Sequence, residues 1–262
     1  MLTRFKFWGD RLWRTLATGL CFASFSVLAL AQSLLVFPVI YALPGTRLNK
    51  AAKVRAIQQR SFFCFVRFME WLGLIRVSLH NTELLQRAGG CLVVANHPTL
   101  IDVVILFSRL PKANCVVKGE LWRNAYIRGV MLAGGFISNA SGKELLQGCQ
   151  QALDSGQAVL IFPEGSRSVP GQPLAFKRGA ANVAVRTQAP IVTAFITCEP
   201  LTLVKGAPWY QIPPRRADIN VYFHEIITPS QVIDDFDDKP KAARLLTRYL
   251  EDYYTEGLKR YG

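Results

Sequence analysis

Residues 15–43 carry no charged side chain, and an uncharged run of 29 residues limits what the rest of the chain can build around it. As one straight helix it would reach about 43 Å, beyond the roughly 30 Å hydrocarbon core of a bilayer. Pro38 and Pro44 are expected to interrupt such a helix near its end. Both flanks are basic: Arg4, Lys6, Arg11 and Arg14 precede the run, and Arg47, Lys50, Lys53 and Arg55 come after it. Cationic flanks stay cytoplasmic, so this symmetry favours an in-plane or re-entrant helical pair that keeps both ends on one side. A single span and a secretory signal are the alternatives, the latter because Ala29-Leu30-Ala31 precedes Gln32 in the manner of a cleavage site. The apolar sequence continues well past that point, which argues against the signal.

Residues 50–75 read as an amphipathic helix. Val54, Ile57, Ser61, Phe65, Phe68 and Leu72 recur at steps of three and four, and Lys53, Arg60 and Arg67 form a basic stripe on another side. That stripe suits lipid headgroups, or equally a solvated face of an ordinary packed helix. Charge is concentrated in this N-terminal part. Residues 1–76 hold 11 Lys/Arg against Asp10 and Glu70, whereas the remainder holds 20 against 16. Basic charge beside an apolar run points to anionic membrane lipid. Nucleic acid is not expected as a partner, because no zinc-finger spacing or RNA-binding aromatic signature accompanies the charge. Residues 1–76 are therefore assigned as a membrane-anchoring helical region. The six cysteines are spread singly, without C-x-x-C, and read as buried thiols in a reducing compartment; no metal site is expected.

Residues 77–262 alternate. Short β-rich runs at 91–95, 114–117, 136–138, 158–162, 191–196 and 219–223 are separated by helix-like stretches at 100–110, 121–132, 143–154 and 177–186. A helix at 241–259 closes the chain. The pattern predicts one α/β layered domain whose sheet need not be uniformly parallel.

Two stretches stand out for chemistry. In "NHPTLID" (96–102) a buried strand runs into Pro98, which favours a first helical position, so His97 falls on the turn between strand and helix. On a continuous helix Asp102 would point about 140° away from His97. With His97 outside the helix, its ring can fold back to Asp102, and a carboxylate on one ring nitrogen makes the other a better base. The plainer alternative is a capping histidine beside an ordinary first-turn acid. In "FPEGSRS" (162–168), Gly165 lets backbone amides approach a ligand, and Arg167, Lys177 and Arg178 supply positive charge for an anionic headgroup. Ser166 and Ser168 are conceivable nucleophiles, but no G-x-S-x-G elbow holds either. A chain without a nucleophile needs a substrate that brings one, such as an acceptor hydroxyl. His80 and His224 have no patterned partner and are read as structural.

Together, NHPTLID and FPEGSRS resemble the hallmarks of the lysophospholipid (1-acylglycerol-3-phosphate) acyltransferase family of glycerolipid acyltransferases: His-x4-Asp and Phe-Pro-Glu-Gly-Ser/Thr-Arg. The resemblance covers roughly residues 80–200 and includes "FKRGA" (176–180) and "APIV" (189–192). It implies a layered glycerolipid acyltransferase-like domain behind a membrane-associated helical segment. It also implies that His97 deprotonates an acceptor hydroxyl that attacks an acyl thioester, with Asp102 orienting His97 and no acyl-enzyme. Glu164, Gly165, Ser166, Arg167 and Lys177 would hold the acceptor. The donor would be acyl-CoA or acyl-ACP, the latter delivered by acyl carrier protein, with no cofactor beyond this co-substrate. The location would be the cytoplasmic face of a membrane, the bacterial inner membrane first. One residue departs from the pattern. Asn139, in "GGFISNAS", stands where relatives acting on glycerol phosphates often carry a phosphate-binding Arg. Either Lys143, Arg167 or Lys177 compensates, or the acceptor lacks a glycerol phosphate. A catalytically silent lipid-binding protein is the alternative of another class.

Overall fold

Residues Leu92–Ala95 are buried completely, and their alternate side chains feed two different cores. The computed structural model describes residues 2–87, 89–110, 112–123 and 125–261. In chain order the strands are β1 (Ile75–His80), β2 (Leu92–Ala95), β3 (Asn114–Val117), β4 (Ile137–Ser138), β5 (Val159–Ile161), β6 (Ile191–Glu199) and β7 (Ala217–Ile227). They form one sheet in the order β1-β7-β6-β2-β5-β3-β4, antiparallel between β6 and β7 and parallel at every other pairing. Strands β6, β2, β5, β3 and β4 therefore all end on the same edge. The fold is mixed α/β, as the alternation of the sequence implies.

The helices are α1 (Leu2–Ala31), α2 (Phe37–Ala42), α3 (Arg47–Trp71), α4 (Glu83–Gln86), α5 (Asp102–Arg109), α6 (Ala125–Gly134), α7 (Gly142–Asp154), α8 (Gly179–Thr187) and α9 (Lys239–Tyr261). On one sheet face Val93, Ala95 and Leu160 join Phe65 of α3 and Ile105 and Phe107 of α5. On the other, Leu92, Val94 and Ile161 join Cys149 of α7, Val183 of α8 and Leu246 of α9. Each fully buried Leu, Ile or Phe stabilises the fold by about 1.5–3 kcal/mol. Tyr254 of α9 is fully buried; its Oη donates to the Val94 carbonyl at 2.6 Å and accepts from the Ala194 amide at 3.1 Å, pinning β2 to β6.

The uncharged run is helical and folds back along α3. Helices α1 and α2 join through a π-helical turn, Gln32–Val36, so Pro38 does not end the helix as expected. A wide turn relieves the crowding that proline imposes on the carbonyl four residues earlier and leaves its missing N–H uncalled for. The helix ends instead at Ala42, and Thr46 caps α3 by accepting from the Asn49 amide. Phe25 packs on Phe62 and Phe65, Gln32 donates to Ser61, and Trp13 donates to the Leu72 carbonyl, so the two arms run antiparallel. The segment Gly9–Ala42 is long and apolar enough to cross a membrane, with mean hydropathy 2.1 and 17% of its most apolar stretch buried.

Two boundaries differ from the sequence reading. The amphipathic helix spans Arg47–Trp71, because Gly73 at φ +71° closes it: Gly73 N–H bonds the Glu70 carbonyl and Leu74 N–H bonds that of Met69. Residue 75 opens β1, which the sequence reading placed in the helix or left unassigned. The stretch read as a helix at 121–132 is a 3-10 turn, Gly119–Arg123, followed by α6.

Candidate active site

At the carboxyl end of β2, Asn96 locks the strand to β6. Its Nδ2 donates to the Ile196 carbonyl at 2.8 Å, and its Oδ1 accepts from the Ile196 amide at 2.7 Å. Helix α5 then begins at Asp102, four residues later than Pro98 suggested, so residues 97–101 form an open turn. Asp102 gathers that turn. Its Oδ2 accepts from His97 Nδ1 at 2.9 Å and from the Thr99 amide at 2.7 Å, and its Oδ1 accepts from Thr99 Oγ1. These bonds from Thr99 to Asp102 hold the turn ahead of the helix, whose own N-cap, Ile101, makes no side-chain cap bond. Asp102 and Thr99 are both fully buried. A carboxylate only accepts, so Nδ1 carries the proton and Nε2 keeps its lone pair. The His97 side chain is 16% exposed and stacks on Phe162, with ring centroids 4.1 Å apart and planes at 22°.

The neighbouring strand β5 delivers the second motif to the same edge. The Gly165 amide closes a turn onto the Phe162 carbonyl at 3.0 Å, with Gly165 at φ +68°. A Cβ there would stand 3.0 Å from Lys177 Cδ and 3.2 Å from its Nζ, so the glycine is what lets the lysine cross the turn. The Lys177 amide donates to the Pro163 carbonyl at 2.8 Å. Glu164 ties the two motifs together. Its Oε1 accepts from the His97 amide at 3.0 Å and from Ser168 Oγ at 2.9 Å, while the Ser168 amide donates to the His97 carbonyl at 2.7 Å. Burial raises the Glu164 pKa above its ordinary value, and the hydrogen bonds from Ser168 and His97 oppose that shift without cancelling it.

Residues 76–197 match the family described as Acyltransferase. The human 1-acyl-sn-glycerol-3-phosphate acyltransferase beta is 29% identical over 135 residues, 49% of this chain and 49% of its own. The Helicobacter pylori 1-acyl-sn-glycerol-3-phosphate acyltransferase is 29% identical over 136 residues, 49% of this chain and 54% of its own. The matched region, a little under half of the chain, contains both motifs of the site. The crystal structure of the 1-acyl-sn-glycerophosphate (LPA) acyltransferase PlsC from Thermotoga maritima has the same fold, with TM-score 0.68, 19% identity and 96% of each chain covered. The chain spans about half the length of the curated relatives it matches.

Within this matched region, His97, Asp102, Glu164, Gly165, Ser166, Arg167 and Lys177 come together at the carboxyl ends of β2 and β5. Arg167 Nη1 is engaged by the protein itself, donating to the carbonyls of Leu203 at 2.9 Å and Val204 at 3.0 Å. Ser166 Oγ accepts from Lys205 Nζ at 3.0 Å. Among the described residues, neither Ser166 nor Ser168 is hydrogen-bonded to His97 through its side chain, which leaves a serine nucleophile without its base. Asn139 lies apart. It follows β4, three strand spacings from β2, or roughly 14 Å. Its Oδ1 accepts from the Gly119 amide at 2.8 Å and holds the turn after β3. Lys143 is exposed on α7, and Arg178 is exposed just before α8.

Sequence reasoning missed Thr99, Phe162 and the 200–216 loop. The Thr99-x-x-Asp102 spacing was the available signal for the first; the other two depend on pairing between strands distant in sequence. His80 stacks on Tyr222 and His224 Nδ1 meets Tyr253 Oη, both away from this edge.

Proposed function

We propose that this protein is a membrane-associated O-acyltransferase that moves a fatty acyl group from an acyl thioester, acyl-CoA or acyl-ACP, to a hydroxyl of a lysophospholipid such as 1-acylglycerol-3-phosphate. The observation that carries the reading is the His97 Nδ1–Asp102 Oδ2 contact of 2.9 Å, which leaves Nε2 as the free base at the end of β2. In this reading Nε2 accepts the proton of the acceptor hydroxyl as its oxygen attacks the thioester carbonyl. The tetrahedral intermediate collapses, the carbon–sulfur bond breaks, and the proton on His97 passes to the departing thiolate. No acyl-enzyme, metal or resident cofactor takes part. Asp102 holds the tautomer and stabilises the imidazolium. Glu164, Gly165, Ser166, Arg167 and Lys177 form the acceptor side, and the names of the relatives support a glycerophosphate acceptor. Residues 1–76 serve as the anchor and 77–262 as the catalytic part, on the cytoplasmic face of a membrane.

A second reading keeps the chemistry and changes the acceptor to one without a glycerol phosphate. It is favoured by Asn139, a neutral residue whose oxygen is already used by Gly119. The chemistry itself is tested by His97→Ala and Asp102→Asn. The first should abolish transfer from a labelled thioester and the second should slow it strongly; loss of a positioned base costs about 10²–10⁴-fold. Full turnover by His97→Ala would rule the mechanism out and revive the silent lipid-binding alternative.

A further inference from the structure

The seventeen residues between β6 and β7, 200–216, contain three cations (Lys205, Arg215 and Arg216) and no acid. Leu201, Trp209 and Tyr210 of this loop are 47%, 47% and 59% exposed. Trp and Tyr pair an apolar body with a polar tip, the chemistry of the headgroup level of a bilayer. What adjoins them decides the occupant. Trp209 lies over Gly19 of α1, where an added Cβ would stand 3.3 Å from the indole, and it meets Phe22 edge-on at 6.3 Å. Gly19 is about 60° round the helix from Leu16, and Leu12, Leu16 and Leu20 are 61%, 62% and 54% exposed. Loop and helix thus present one continuous apolar surface. A cavity of about 360 Å³ opens between them, lined by Leu201, Val204 and Ile212 and a single helix cation, Arg11.

We infer that the 200–216 loop is a second bilayer-contacting element, which lays Trp209 and Tyr210 into the headgroup layer of an anionic membrane beside α1. The inference rests on the proposed membrane association of α1. Arg215 and Arg216 pair with Glu199 and Asp218 at the base of the loop, at 3.2 and 3.9 Å, but these pairs are solvent-exposed and the loop itself adds no acid to oppose an anionic surface. The loop also reaches the candidate site, because Arg167 holds the carbonyls of Leu203 and Val204, Lys205 bonds Ser166, and the Leu100 amide donates to the Leu203 carbonyl at 3.1 Å. It is a strut between the lipid surface and the turn that carries Arg167. Contact with lipid would fix the orientation of the site toward an acceptor lying in the membrane.

The test uses full-length protein and vesicles of phosphatidylglycerol and phosphatidylcholine brominated near the headgroup end of the acyl chains. Subtracting the fluorescence of Trp209→Phe from that of wild type isolates the emission of Trp209. That component should be quenched by the bromolipid and shielded from aqueous iodide. A component open to iodide and untouched by bromolipid, while the protein floats with the vesicles, overturns the inference. Failure of wild type to float overturns the membrane reading of α1 as well, so the two failures are distinguishable. In a second arm, Trp209→Ala with Tyr210→Ala should lower the ratio of acylation of a vesicle-borne acceptor to that of a water-dispersed short-chain acceptor about tenfold. An unchanged ratio also overturns it.

Discussion

At the scale of single residues, the candidate site depends on donors aimed at one buried carboxylate. Thr99→Val removes the hydroxyl that Asp102 Oδ1 accepts and leaves that oxygen buried without it. The expected cost is about 1–3 kcal/mol of stability, with slower turnover as Asp102 loses its hold on His97, whereas Thr99→Ser keeps the donor and should restore both. Thermal melts and thioester turnover of the two variants check this; equal behaviour of Val and Ser would sink it. Glu164 gives a pH signature. Its pKa is raised by burial, so between the unfolded and folded pKa values the folded state binds the extra proton. Stability from this group is present below the unfolded pKa and is lost as pH rises through the folded one. Glu164→Gln can still accept from the His97 amide and Ser168, and it carries no charge to desolvate. Denaturation midpoints measured from pH 4 to 8 should therefore diverge in favour of Gln as pH rises, and parallel curves would refute the assignment. His97 and Asp102 were legible because their contact is local. The stacking of Phe162 and the clamp by Glu164 were not, because both need β5 to lie beside β2, a pairing between residues far apart in sequence.

At the scale of elements, hydrophobic alternation located β2 to β7 to within a few residues, since those strands are bounded by turns and mostly buried. Strand β1 escaped because most of its residues are only half-buried and it follows an apolar helix directly. Gly73, ending α3 in the left-handed conformation, was the signal for that boundary. The uncharged run does not fold into a pair by itself: it forms one helix, continuous through the π-helical turn to Ala42, and its antiparallel partner is α3. This hairpin is not a detachable appendage. Ala17 and Cys21 of α1 share a core with Phe65 and Met69 of α3 and Val93 of β2. Arg55 Nη1, Gln58 Nε2 and Tyr41 Oη donate to the carbonyls of Gly134, Val130 and Ala133 at the end of α6, at 2.7, 3.0 and 2.9 Å. Deleting residues 1–45 should therefore strip the cover from a shared core and give an aggregating protein, whatever it does to membrane binding. A monomeric truncated protein that still unfolds cooperatively, by size-exclusion chromatography and denaturant titration, would show the hairpin to be a separate module.

At the scale of the whole molecule, the order β2-β5-β3-β4 lays the candidate residues along one edge of the sheet: His97 first, then the Glu164–Arg167 turn with Lys177, and finally Asn139. The candidate catalytic pair, His97 and Asp102, and Asn139 thus occupy opposite ends of one line, roughly 14 Å apart. Under the proposed chemistry this arrangement separates the reacting hydroxyl from Asn139, so a substitution there is expected to alter acceptor choice without touching the chemistry. If the missing cation matters, Asn139→Arg should raise the use of phosphate-bearing acceptors over neutral or zwitterionic hydroxylated lipids by about tenfold to a hundredfold, the worth of a charge-assisted hydrogen bond of about 1.5–3 kcal/mol. The substitution also removes the oxygen that holds the Gly119 amide. That loss should lower stability by about 0.5–1.5 kcal/mol, and a melting curve would keep the two effects apart. The assay is a competition among acceptors with one acyl thioester, wild type against Asn139→Arg. A gain confined to phosphate-bearing acceptors would mean that the wild type is tuned to an acceptor without that charge. Efficient wild-type acylation of lysophosphatidic acid, unchanged by the new arginine, would mean that Lys177 and the Arg167 turn already meet the phosphate and that Asn139 serves only as a brace for the turn after β3.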